Sequence, residues 1–154
     1  MSYIPDHTDK LMLSQLERNA RISNAELAER VNLSPTPCLR RLRRLEKLGF
    51  IRNYTAILNE KALGLQVSAF VFVNLDKNTL ENSELFEAAL HDLPEVTEVS
   101  VVAGSHDYVL KVITKDLEDY ERFLKQRLAV IKSVADLESI IILKQSMYRS
   151  GLPI

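Results

Sequence analysis

The stretch that decides the fold reads NAELAERVNLSPTPCLRRLR, residues 24–43. Ser23 and Glu26 stand three residues apart before an apolar run, the spacing of a capping box that opens a helix. We expect a short helix that ends near Val31, because Asn32 tolerates the left-handed conformation that closes a helix. The positions of this helix predicted to face inward are Ala25, Leu27, Ala28 and Val31.

A longer helix is predicted after a turn of about four residues, with Ser34 as its cap and Gly49 at its end. Pro35 and Pro37 fall in its first turn, where backbone N–H groups have no helical partner and proline is tolerated. A leucine at every third position is expected to form a buried stripe of Leu39, Leu42, Leu45 and Leu48. The other faces are basic, opposed only by Glu46, and carry Arg40, Arg41, Arg43, Arg44 and Lys47.

A further helix is predicted before these two, over about Thr8–Asn19, with Thr8 as its cap. Two closely spaced helices, the second basic on its exposed side, are typical of a helix-turn-helix. In that motif the start of the second helix reaches base edges, while arginines further along contact phosphates. Thr36 offers a hydroxyl or methyl contact, and Arg40 matches a guanine. The predicted DNA-contacting residues are Asn24, Ser34, Pro35, Thr36, Pro37, Arg40, Arg41, Arg43, Arg44 and Lys47.

The charge distribution supports this interpretation over a solvated arginine face on a core helix. Residues 1–59 hold 10 Lys and Arg against 6 Asp and Glu, a balance of +4, whereas residues 60–154 hold 10 against 15, a balance of −5. A basic half is a candidate for binding polyanions. We therefore predict a DNA-binding half and an acidic half with a different task.

Several classes of protein are disfavoured by composition. No apolar run reaches the roughly 18 to 20 residues of a membrane helix, and the N-terminus lacks the pattern of a signal peptide. Cys38 is the single cysteine, which excludes an internal disulfide and a cysteine-based zinc site. The three histidines show no metal-ligand spacing. We expect a cytoplasmic protein that spans no membrane and holds no metal.

The second half repeats one pattern. A short apolar strand at Asn53–Leu58 and a hinge at Asn59–Leu65 are predicted first. Strand, helix and strand then follow twice, over residues 66–76, 80–91, 96–103, 108–114, 116–130 and 134–144. The order βαββαβ indicates a ferredoxin-like antiparallel sheet with two helices on one face, and an α+β class overall. The predicted domains are residues 1–52 (helix-turn-helix), 53–65 (connecting strand and hinge) and 66–154 (ferredoxin-like).

The strands at residues 69–73 (AFVFV) and 140–143 (IIIL) are apolar on both faces. An antiparallel sheet with one wet face alternates apolar and polar residues instead. Because the helices cover only one face, we predict a homodimer formed through the other. A two-fold dimer suits a palindromic operator in double-stranded DNA.

The segment Gly104-Ser105-His106-Asp107-Tyr108 joins two predicted strands. Glycine exposes N–H groups that can hold a carboxylate, and Asp107 can hold an ammonium group, so the loop suits a free amino acid. A simple hairpin turn is the alternative. Ser105, His106 and Asp107 are also the residue types of a catalytic triad. Neighbours in an extended chain point to opposite faces, however, and this disfavours an enzyme.

Three motifs together resemble the Lrp/AsnC, or feast/famine, family of prokaryotic transcription regulators. They are Ser34-Pro35-Thr36-Pro37-Cys38 before the leucine-and-arginine helix, Arg21-Ile22-Ser23-Asn24 ahead of it, and Gly104-x-x-Asp107-Tyr108. The resemblance covers the chain from Asp9 to Ser150-Gly151-Leu152-Pro153. It implies a winged-type DNA-binding domain, a domain for regulation of amino-acid metabolism, and dimers that often assemble into octamers of four dimers.

The resemblance also implies an effector, usually an amino acid, bound between dimers, with no cofactor. In the family, the loop matching Gly104 to Tyr108 holds the amino and carboxylate groups of the effector, which replaces the hairpin-only interpretation. The effector residues so implied are Val101, Ala103, Gly104, Ser105, His106, Asp107, Tyr108, Leu117, Ile140, Ile141 and Ile142. Their aliphatic members favour an apolar amino acid such as leucine or methionine. An amino-acid-binding module without DNA function is the remaining alternative, since fold alone does not decide function.

Overall fold

The computed structural model describes residues 3–147 and 152–153. Ser150 and Gly151, near the end of the family resemblance, lie outside the described residues. The chain forms two compact units, one within Met1–Ile57 and Ser146–Ile154, the other Leu58–Gln145. This division differs from the predicted boundaries, because it falls inside the predicted connector and groups the residues from Ser146 with the first unit.

The first unit is helical. Its helices are α1 (His7–Arg18), α2 (Asn24–Arg30) and α3 (Pro35–Lys47). They enclose a hydrophobic cluster to which each helix contributes, formed by Met12, Leu16, Leu27, Ala28, Val31, Cys38 and Leu45.

The first helix begins at His7, one residue before the predicted range, and its cap is Asp6 rather than Thr8. The Asp6 carboxylate accepts a hydrogen bond from the Asp9 backbone N–H (2.8 Å), and the Asp9 carboxylate accepts one from the Asp6 N–H (3.1 Å). This complete capping box satisfies two backbone donors at once, so Asp6 is the cap, the helix begins at His7, and Thr8 lies inside its first turn.

The second helix confirms Ser23 as cap, because its hydroxyl accepts from the Glu26 N–H at 3.2 Å. The Glu26 carboxylate pairs with the Arg30 guanidinium at 2.6 Å, so the return half of the predicted box is not made. Asn32 has φ 54°, the left-handed conformation expected there. Ala25 is exposed and not inward as predicted, whereas the other three inward positions are buried.

The third helix has Ser34 at its cap position, but the hydroxyl makes no capping hydrogen bond. Its natural donor at the third helical position is absent because Pro37 has no N–H. Gly49 has φ 77°, and it ends the helix as predicted. The Gly49 N–H donates to the Glu46 carbonyl at 3.0 Å, and the Phe50 N–H donates to the Leu45 carbonyl at 3.0 Å. This pair of hydrogen bonds is a Schellman motif.

The predicted leucine stripe is only partly right. Leu45 is fully buried, Leu39 and Leu42 are partly buried, and Leu48 is 48% exposed. Three residues turn an α-helix by roughly 300°, so a three-residue repeat drifts around the helix instead of keeping one face. Cys38, which the stripe omits, is fully buried beside Leu45 in the same cluster.

The predicted strand at Asn53–Leu58 is wrong for the single chain, because this segment has no regular secondary structure. A strand needs a partner for its N–H and C=O groups, and none of the described residues pairs with it. A short 3₁₀ helix, Lys61–Leu63, follows and is closed by Gly64 at φ 81°.

The second unit has the predicted ferredoxin-like order. Its elements are β1 (Val67–Leu75), α4 (Leu80–Leu90), β2 (Val96–Val101), β3 (Tyr108–Thr114), α5 (Leu117–Phe123) and β4 (Val134–Ile141). The sheet runs β2-β3-β1-β4 with antiparallel neighbours. The predicted helix at 116–130 is interrupted, since α5 continues as a π-helix at Leu124–Leu128.

The two faces of the sheet differ. Alternate residues of β1, namely Ala69, Val71 and Val73, are fully buried against α4 and α5 side chains such as Phe86 and Phe123. The residues between them point to the opposite face, which no helix among the described residues covers. This open sheet face carries Phe70, Phe72, Val109, Ile113 and Ile140, together with the charged residues Lys111 and Glu138. Among the described residues, no helix has the length and apolar character needed to span a membrane.

Candidate DNA-binding surface and effector loop

One face of α3 carries three cations that make no ion pair with any described residue. We call Arg40, Arg43 and Lys47 the basic ridge; all three are exposed. Their spacing of three and four residues places them on one side of the helix, with the exposed Thr36 one turn before Arg40. This side of α3 therefore presents the Thr36 hydroxyl, followed by the three positive charges of the basic ridge, to a polyanion.

Arg41 and Arg44 differ from the ridge because they face α1. Arg41 Nη1 lies 2.5 Å from Asp6 Oδ2 and 2.9 Å from Asp9 Oδ1. Arg44 Nη2 lies 3.7 Å from Asp9 Oδ2, and its guanidinium sits 4.1 Å from the centre of the Tyr3 ring, whose hydroxyl it contacts. The Asp9 backbone N–H and the Arg41 guanidinium lower the pKa of the Asp6 carboxyl. The five cations predicted to contact DNA thus form two groups.

Asn24 connects the two helices of the motif. Its Nδ2 donates to the Pro35 carbonyl at 2.9 Å, and its Oδ1 is buried without a partner among the described residues. Asn24 therefore fixes the start of α3 relative to α2. Ser34 and Pro35 are exposed and Pro37 is partly exposed at the same end of α3.

Tyr54, which follows the motif, binds the far end of α3. Its hydroxyl donates to Glu46 Oε1 at 2.8 Å. Partial burial and the Glu46 carboxylate raise the pKa of Tyr54 to about 12. Sequence reasoning missed this contact, although Glu46 is the one acidic residue of the basic helix.

The effector loop, residues 103–107, joins β2 to β3. Ala103, Gly104 and Ser105 are exposed, and Gly104 has an extended backbone with open space on its side-chain side. Tyr108, predicted with the loop, is instead a core residue that is 3% exposed. Its hydroxyl donates to Glu87 at 2.9 Å, and burial raises the pKa of the phenol.

Asp107 holds the effector loop to the end of β1. Its carboxylate accepts from the Leu75 backbone N–H at 2.8 Å and from Asn78 Nδ2 at 2.7 Å. Its own N–H donates to the Val73 carbonyl at 3.0 Å. The sequence analysis found Asp107 but neither Leu75 nor Asn78, which lie 32 and 29 residues away in the chain.

His106 points to the open sheet face. Its Nε2 lies 3.3 Å from Glu138 Oε2, and its ring centre is 5.1 Å from that of Phe72. Ser105, His106 and Asp107, all of which the structure describes, share no side-chain hydrogen bond with one another. The residue types of a triad are therefore present without its geometry.

The aliphatic residues predicted to contact the effector do not all lie near the effector loop within one chain. Val101 is 71% exposed and pairs with Tyr108 beside the loop. Ile140 pairs with Phe70 of β1, whereas the loop contacts Val73, three residues further along the same strand. At ~3.3 Å per residue, Ile140 lies about 10 Å from the loop. Leu117 follows Thr114 at the opposite end of β3, roughly 20 Å from the loop by the same rise. These residues therefore do not form one pocket within a single chain.

These features define a class: a helix-turn-helix DNA-binding protein with a separate ferredoxin-like unit. The model of the "Winged helix-turn-helix DNA-binding" family matches residues 5–52, and that of the "Lrp/AsnC ligand binding domain" matches residues 68–152. The chain belongs to the Lrp/AsnC family of transcription regulators.

Similar proteins agree with this assignment. The leucine-responsive regulatory protein of Salmonella typhimurium is 39% identical over 140 residues, which are 91% of this chain and 85% of that protein. A transcriptional regulator of Neisseria meningitidis, solved in complex with L-Met, superposes with a TM-score of 0.93 at 35% identity, covering 97% of each chain. An AsnC family regulator of Agrobacterium tumefaciens gives a TM-score of 0.91 at 32% identity, also covering 97% of each chain.

Proposed function

We propose that this DNA-binding regulator reads an operator with the basic ridge and the start of α3. The observation that carries the proposal is the shared exposed face of Thr36, Arg40, Arg43 and Lys47, on which the cations have no ion-pair partner among the described residues. Thr36 and Arg40 lie nearest the start of α3 and suit base edges. Arg43 and Lys47 lie further along and suit phosphates.

The experiment compares single alanine variants in titrations of operator and random duplexes over a range of salt. Arg40→Ala is expected to weaken operator binding by about 1–3 kcal/mol and to relax the preference at one base pair. Arg43→Ala is expected to weaken both duplexes alike and to reduce the salt slope by about one. Arg122→Ala, an exposed cation on α5, is the control and should change neither. Unchanged binding by Arg40→Ala and Arg43→Ala contradicts the proposal.

We further propose a homodimer through the open sheet face, with assembly of four such dimers into an octamer as in the family resemblance. The support is an apolar surface in the middle of the sheet, where Phe70 is 39% and Ile140 is 49% exposed. Contiguous exposed apolar surface of this kind typically marks an interface. A two-fold dimer would present two copies of α3 to a palindromic operator in the cytoplasm.

We propose that the effector is a free amino acid held at the effector loop. The exposed backbone of Gly104 and Ser105 is available to a carboxylate. The Asp107 carboxylate has about four acceptor positions, of which Leu75 and Asn78 use two, and this leaves room for an ammonium group. The distances within one chain support a site completed by a second copy.

Leucine or methionine is the proposed effector class, supported by the aliphatic residues Val101, Leu117 and Ile140–Ile142 and by the names of two similar proteins. A thermal-shift screen of the twenty amino acids tests it, because a ligand that binds only the native state raises its stability. An apolar amino acid is expected to raise the melting temperature and to change operator affinity. A response to charged amino acids alone, or to none, contradicts this part of the proposal.

A further inference from the structure

Asp9 is a charged residue in the core of the DNA-binding unit. Its side chain is fully buried, and it accepts contacts from Arg41, Arg44, the Tyr3 hydroxyl and the Asp6 backbone N–H. A buried carboxylate is stable only when it is paired in this way. We call Asp6, Asp9, Arg41 and Arg44 the arginine clamp.

The clamp divides the positive charge of α3. Arg41 has two carboxylate partners and its side chain is 30% exposed, whereas Arg44 has one partner and is 46% exposed. A guanidinium that is already neutralised by a carboxylate brings no net positive charge to a phosphate, so it displaces none of the cations condensed on the DNA. Counterion release is what drives sequence-independent binding to DNA.

We propose that Asp9 is a positioning residue that withholds Arg41 and Arg44 from the phosphate backbone and thereby limits binding to random DNA. The inference rests on the DNA-binding surface proposed above. It implies that the preference for an operator over random DNA comes partly from arginines of α3 that are paired with carboxylates and do not contact phosphates. The basic ridge then provides the contacts that distinguish an operator, and the clamp fixes the angle of α3 on α1.

Asp9→Asn tests the inference in the full-length protein, because it keeps the size and the acceptor oxygen of the side chain and removes its charge. For a random duplex, the slope of log K against log salt is expected to steepen by about one unit as Arg44 loses its carboxylate. Affinity for that duplex should rise several-fold at low salt, and affinity for the operator should rise less. A merely structural role of Asp9 would weaken binding without steepening the slope.

Arg44→Ala is the second variant, chosen because its side chain is half exposed and its loss leaves Asp9 paired with Arg41. The clamp predicts an unchanged salt slope for this variant, whereas a direct phosphate contact predicts a slope smaller by about one. Glu118→Gln removes one of the two carboxylate partners of Arg122 on α5, changes the net charge equally and serves as the control.

The outcomes separate this inference from the proposed function. If Arg43→Ala lowers the slope, Arg44→Ala lowers it equally and Asp9→Asn does not steepen it, the clamp is wrong and the DNA-binding surface stands. An Asp9→Asn protein that unfolds leaves the Arg44→Ala slope to decide. If Arg43→Ala has no effect, the proposed surface is wrong and the inference falls with it.

Discussion

The two units carry their functional residues in different ways. In the first, Thr36 and the basic ridge lie on one helix at helical spacing, and one chain presents the whole surface. In the second, the effector loop and Leu117 lie at opposite ends of the same strand, and an apolar sheet face has no cover among the described residues. The surface proposed for DNA is thus complete in a single chain, whereas we propose that the second unit completes its effector site and covers its open sheet face only with further copies.

The hydrophobic cores of the units are also separate. The first cluster contains Met12, Leu27 and Leu45, the second contains Val71, Phe86 and Leu110, and no residue belongs to both. Changes in one core should therefore leave the other unit folded. Single substitutions test whether the two units are separate, and whether the second unit depends on a second copy while the first does not.

The largest effect is expected from Leu45→Ala. Leu45 is fully buried, and removing its side chain should destabilise the first unit by about 2–5 kcal/mol because a cavity remains. Calorimetry should show the first unit unfolding earlier while the second is unchanged. Leu110→Ala, equally buried, is the matched variant and should affect only the second unit. A single transition that moves equally in both variants would show that the units unfold together.

Phe70→Asp is expected to break the dimer. A charge at the centre of the open sheet face should cost about 2 kcal/mol or more, which raises the dimer dissociation constant roughly 30-fold. Sedimentation equilibrium measures it. Leu85→Asp is the control, since Leu85 is 59% exposed on α4, away from this face. Equal dissociation of both variants, or of neither, argues against the sheet as the interface.

Asp107→Ala should destabilise the second unit by about 1–3 kcal/mol, because it leaves the buried Leu75 N–H without an acceptor. It should also abolish the effector response while leaving basal operator binding intact. Asn78→Ala keeps the carboxylate and should retain effector binding. Isothermal calorimetry with leucine and methionine compares the two variants; undiminished affinity in Asp107→Ala would rule out its role as ammonium ligand.

The smallest effect concerns Tyr54. Its pKa is about 12 in the folded protein against an ordinary 10.0, so its stabilising contribution is present below pH 10 and is lost as the pH rises through about 12. Phenolate absorbance of the wild type minus that of Tyr54→Phe should titrate with a midpoint of about 12. A midpoint near 10 would mean that the Tyr54 side chain is neither partly buried nor hydrogen-bonded to Glu46.

Local patterns in the sequence predicted much of this structure. The Asn32 and Gly49 helix ends, the bounds of β3 and the order of the second unit followed from spacing and turn residues. The arginine clamp was missed because Asp6 and Arg41 are 35 residues apart in the chain. The contact of Asp107 with Leu75 was missed for the same reason, since these residues are 32 apart. Only packing brings such groups together. The segment at Asn53–Leu58 was wrongly predicted as a strand because apolar residues alone do not supply a pairing partner.

The two prolines at the start of α3 have a further consequence for how this helix can bind DNA. Helix N-termini commonly hold a phosphate through several free backbone N–H groups. Of the first three residues of α3, only Thr36 has one, since Pro35 and Pro37 have none. Main-chain binding of a phosphate, which is indifferent to base sequence, thereby loses two of the donors that a helix N-terminus normally offers. On the proposed surface, binding to DNA would then depend mainly on the side chains of α3, which single substitutions can change one at a time.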